Sequence, residues 1–177
     1  FFDARNKQNA GTRSEEHTNL AKKRDIIAQM KDLLENAGDD LQKKIQELTT
    51  AYKEVGHVPF KEKDKLYDEY HKVVNKLYAQ LHVNNAKRHL NNFKDNLKNV
   101  AGQGEDAVST ERNKLLRRFD QLKQEITTYE NNLGFLNASS KKGNNLVEEM
   151  NRKVERLKTD LELVKEKIKA IDAEDKE

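Results

Sequence analysis

The chain has 177 residues, of which 37% are charged and only 34% apolar, with one Pro, no Cys and no Trp. That balance leaves too little for a wide globular core and suits thin helical bundles, while the regular spacing of the apolar residues argues against disorder. A formal net charge of +3 excludes a general polycation. Without Cys there are no disulfides, no thiol catalysis and no Cys-based metal site, and a reducing, cytoplasmic setting is expected. No apolar run approaches the roughly 20 residues of a membrane span. The opening Phe1-Phe2-Asp3 reads as the interior of a longer protein, so an N-terminal targeting segment would lie out of view.

In chain order, Phe1 and Phe2 read as the end of one helix, broken at Gly11. Thr12 to Glu15 fits a capping box for the next, in which hydroxyl and carboxylate satisfy orphan amides. Leu20, Ile27, Met30 and Leu34 share its inner face, and Ala37-Gly38 ends it. Leu41, Ile45, Leu48, Tyr52 and Val55 make the stripe of a further helix, stopped by Gly56. Pro59 marks a corner or a first helical turn, since a helix interior would lose a hydrogen bond there.

A long helix is then expected from about Glu62 to Asn99. Its seam of Leu66, Tyr70, Val73, Leu77 and Leu81 changes phase to Val83, Ala86, Leu90, Phe93, Leu97 and Val100. The shift predicts a bend, a break or a new packing partner near His82 to Asn85. Gly102 and Gly104 form a linker. Two heptad arms follow: Val108, Leu115, Leu122 and Tyr129 alternating with Arg112, Phe119, Ile126 and Leu133, then Val147 to Ile171. Only Arg112 spoils either seam. Arms of equal span joined through 134–145 are expected to pair as an antiparallel hairpin, because the partner within the chain is always present. A homodimeric zipper is the alternative, so monomer and homodimer both stay open.

The run from Tyr52 through Val55, Gly56, Pro59 and Tyr67 to Leu77-Tyr78 resembles the bacterial family catalogued as domain of unknown function 349. That family resembles tandem helical units with an aromatic-x-x-hydrophobic-Gly-x-x-Pro turn before a long helix. On that likeness, residues 1–37 are the end of a preceding repeat, 38–104 one repeat unit, and 105–177 a coiled-coil hairpin. The hairpin resembles the C-terminal extension of Bacteroidetes-like members. The resemblance implies an all-α fold, elongated helical repeats followed by an antiparallel hairpin, and carries no activity with it.

Little in the sequence points to chemistry. His17, His57, His71, His82 and His89 lack the i,i+4 spacing of a helical metal chelate. Gly102-Gln103-Gly104 lacks the context of a phosphate loop. No catalytic residue, metal or cofactor is expected, and the chain reads as a non-enzyme. Between Tyr70 and Asp95 no acidic residue occurs. Lys65, Lys72, Lys76, Lys87 and Lys94, with Arg88 beside them, form a candidate basic face for phosphates. The aromatics Tyr52, Phe60, Tyr67, Tyr70, Tyr78 and Phe93 read mainly as core, with Tyr67 and Tyr78 at its edge. Phe135, Leu136, Lys141 and Lys142 form a candidate interaction loop at the hairpin tip. The expected role is a helical scaffold binding an unknown macromolecule, a protein in preference to nucleic acid, away from membranes.

Overall fold

The structure, a computed structural model, describes residues 2–139 and 145–176. Among the described residues there are five helices: α1 (Phe2–Glu35), α2 (Leu41–Glu54), α3 (Phe60–Ala101), α4 (Glu105–Ser139) and α5 (Asn145–Glu174). The described residues contain no strand, so the all-α expectation holds. They divide into two compact units, Phe1–Leu81 and His82–Glu177, to each of which α3 contributes one part. Units of packing and the repeats inferred from sequence are different divisions of the chain.

Unit 1 is a three-helix core. The second half of α1 supplies Leu20, Ile26, Ile27, Met30 and Leu33. To these α2 adds Leu41, Ile45 and Tyr52, and α3 adds Leu66, Tyr70, Val73, Val74 and Leu77. Met30, Leu41, Ile45 and Leu77 are essentially without solvent contact. The Tyr52 and Tyr70 rings stack 3.7 Å apart and 8° from parallel, joining α2 to α3. The Lys23 ammonium of α1 lies 4.7 Å from the centre of the Tyr52 ring, a cation–π contact that closes the third side. Arg24 and Glu62 pair at 3.1 Å, exposed enough to add little to stability.

The expected break at Gly11 does not occur. Residues 2–35 form one helix, and Thr12 Oγ1 donates back to the Gln8 carbonyl at 3.0 Å. Thr12 therefore sits inside a helix and not at its cap. A single Gly costs a helix only about 1 kcal/mol, which the flanking good helix formers outweigh.

Unit 2 is an up-down-up bundle of residues 82–101 of α3 with α4 and α5. Arg112 reaches Asp172 at 2.9 Å and Lys158 reaches Glu130 at 3.3 Å, so α4 and α5 are antiparallel and both seams close within the chain. Leu115, Leu122, Ile126 and Leu133 of α4 are buried, as are Val154, Leu157, Val164 and Ile171 of α5. Leu97 joins this core, with Phe93 packed against it. The hairpin is thus flanked by a third helix. Between α3 and α4 the chain turns at Gly104, whose φ of +110° is strained for any residue with a Cβ.

The phase shift near His82 marks a change of partner, not a break. The helix is continuous to Ala101, but before Leu81 it packs in the α1/α2 core and after it in the α4/α5 core.

Candidate interaction surfaces

The turn between α2 and α3 is fixed by one close approach. The Asn19 side chain of α1 donates to the His57 carbonyl at 2.8 Å. A Cβ at Gly56 would lie 3.0 Å from that same Asn19 nitrogen. A Cβ there would crowd the Asn19 amide, so Gly56 leaves room for this hydrogen bond to form undisturbed. The Pro59 carbonyl then accepts from the Glu62 amide at 2.9 Å, starting α3.

That start sets the face α3 presents. At 100° per residue, Phe60, Tyr67, His71 and Tyr78 fall within roughly 40° of one another. Phe60 is 89% exposed, Tyr67 60% and Tyr78 41%, and the Tyr67 ring lies 4.1 Å from His71. The expected core role holds for Tyr52 and Tyr70 and is corrected for Phe60, which the corner at Pro59 leaves outside the bundle. Burial raises the Tyr52 hydroxyl to about 12, with the Tyr70 hydroxyl adding to the effect. Burial likewise raises Tyr70.

All six residues of the candidate basic face are exposed. In unit 1, Lys65, Lys72 and Lys76 share one side of α3. In unit 2, Lys87 and Lys94 share one side of that part of the helix, while Arg88 points about 100° away from Lys87. Carboxylates lie near the lysines there: Lys87 lines one groove with Glu162 and Glu166, and Lys94 lines another stretch with Asp95, Glu166 and Glu174. His82 Nε2 lies 2.9 Å from Asp160 Oδ1.

Phe135 and Leu136 lie within α4, which runs to Ser139, rather than in a loop as expected. Helical hydrogen bonding extends the arm beyond the point where Gly134 suggested a turn. Phe135 is 78% exposed and Leu146 of α5 51%. Lys141 and Lys142 lie outside the described residues.

Apart from the core tyrosines, no polar or charged side chain is buried among the described residues, and no cluster of three or more His, Asp or Glu there could hold a metal. No helix among them is long and apolar enough to cross a membrane.

Residues 1–61 match the family described as Domain of Unknown Function (DUF349). That stretch of the chain is similar to DUF349. The matched segment takes in α1, α2 and the Gly56–Pro59 turn, and stops at the first turn of α3. No curated protein and no solved structure matches the chain.

Proposed function

We propose that the protein is a non-enzymatic helical scaffold that recognises another protein through helix faces. The observation that carries this reading is the line of Phe60, Tyr67 and Tyr78 along one side of α3, all exposed. Large aromatics bury much area on contact with a partner and concentrate its binding energy. Leaving three of them in water along one helix face costs solubility unless a partner covers them. A helical ridge of this kind fits a complementary apolar groove, with His71 and Tyr hydroxyls supplying polar contacts at its edge.

A photoreactive residue at Tyr67 in the full chain, activated in living cells, tests the reading. Discrete protein adducts are expected, and they should disappear when Phe60 and Tyr78 are replaced by Ala. Labelling no greater than from an equivalent probe at Lys72 would refute it. No observation favours nucleic acid as the partner. The carboxylates beside Lys87 and Lys94 weaken the pull of those lysines on phosphates. Accordingly, no salt-sensitive binding of a short duplex is expected at low ionic strength.

A further inference from the structure

Unit 2 carries a second surface, independent of the aromatic face. Between α3 and α5 lies a groove of about 260 Å³ lined by Val83, Ala86, Leu90 and Leu163. It continues along Leu97 and Ala170 toward Lys98, a run of about 22 Å from Val83 to Lys98 at 1.5 Å per residue. Its two edges differ in their balance of charge. The α3 edge bears Lys87, Lys94 and Lys98 with Asp95 among them, and the α5 edge bears Glu162, Glu166 and Glu174 with Lys169 among them. Glu166 is engaged by Lys169 at 3.4 Å. Among the described residues, Lys87, Lys94 and Glu162 enter no ion pair.

We propose that this groove is a self-association surface, on which a second copy of the chain docks about a two-fold axis running parallel to the groove. The charges select both the partner and the axis. A two-fold axis along the groove sets the α3 edge of one copy over the α5 edge of the other without changing height. Lys87 and Glu162 line the same stretch of groove, so each Lys87 meets the other copy's Glu162. A two-fold axis across the helices sets Lys87 over Lys87 and Glu162 over Glu162, which repel. Apolar floors then face each other as the two inner layers of a four-helix packing. A patch this short buries less than the roughly 1,200 Å² typical of stable complexes, so the dimer dissociates on dilution.

Sedimentation equilibrium of the full chain tests this with Lys87→Glu and Glu162→Lys, two exposed changes whose helicity is checked by circular dichroism. Wild type should show a reversible monomer–dimer equilibrium between the chain mass of 20.6 kDa and twice that value. Each variant alone sets like charges opposite one another and should dimerise at least roughly tenfold more weakly. In an equimolar mixture, the carboxylate introduced by Lys87→Glu faces the ammonium introduced by Glu162→Lys. The unchanged Glu162 of the first variant then faces the unchanged Lys87 of the second, so the mixed dimer should regain wild-type strength or exceed it. A wild type that stays monomeric at all concentrations overturns the proposal, and so would a lone helix of another protein occupying the groove in its place. A dimer indifferent to both substitutions overturns it too, as does a mixture that fails to recover. None of these outcomes touches the aromatic face of unit 1, whose crosslinking test stands apart.

Discussion

At the scale of single residues, the α2–α3 turn of unit 1 depends on Gly56 and Asn19. Gly56→Ala pushes against the Asn19 amide that holds the His57 carbonyl. We expect a loss of about 1–2 kcal/mol in denaturant unfolding, typical of a broken local hydrogen bond. The same change in an Asn19→Ala background should cost clearly less, because the clash and the bond are one feature. Equal losses in both backgrounds would separate them. Tyr52 gives a pH signature. Its folded-state value is raised to about 12, chiefly by burial, so the stability it contributes is complete below pH about 10 and lost as pH climbs through 12. Tyrosinate absorbance should show a group ionising near pH 12 that is missing from Tyr52→Phe, and that variant should flatten the fall in melting temperature over this window. The motif around Tyr52, Gly56 and Pro59 was legible in the sequence. That Tyr52 and Tyr70 stack was not, because the contact depends on how α2 and α3 are set against each other.

At the scale of helices, α4 and α5 carry the clearest seam. Leu122 and Ile171 are fully enclosed, and truncating Leu122 to Ala should cost about 2–5 kcal/mol of unit 2 stability, read from amide exchange of the α4 and α5 backbone. Arg112 looked like a defect in the heptad pattern and proves to have a partner. Its guanidinium makes two hydrogen bonds to Asp172, which hold that carboxyl below the usual carboxylate range. The pair sits where α4 begins and α5 ends, and so fixes the register of the hairpin. Its stabilising contribution is present above the ordinary carboxylate value and fades as pH falls through the depressed one. Exchanging the two residues, Arg112→Asp with Asp172→Arg, should recover most of what either change alone loses. The heptads revealed the pairing of the arms but not the third helix, because residues 82–101 of α3 have a short, shallow seam of their own. Helix ends were least legible. Gly11 and Gly134 were read as breaks, yet continuous backbone hydrogen bonding carries α1 and α4 through both.

At the scale of the molecule, composition dictated the class of fold. Narrow stripes on five helices are consumed in two small cores, and the remaining surface is mostly charged, apart from the aromatic line on α3 and the apolar groove of unit 2. The exposed line on α3 could be seen only in part from sequence. Tyr67 and Tyr78 sit beside the seam at helical spacing, but the exposure of Phe60 follows from the turn at Pro59. The groove between α3 and α5 was hidden, because its two edges lie far apart in the chain, with all of α4 between them. What ties these surfaces together is the closure of both heptad arms within one chain, which leaves α3 free to present its outer faces. The absence of native Cys makes that closure directly measurable. With Glu130 and Lys158, which pair at 3.3 Å, both replaced by Cys, a short bis-maleimide should link them within single chains. The product should keep the mass of one chain however far the protein is diluted. Links forming only between chains, and vanishing on dilution, would contradict the account.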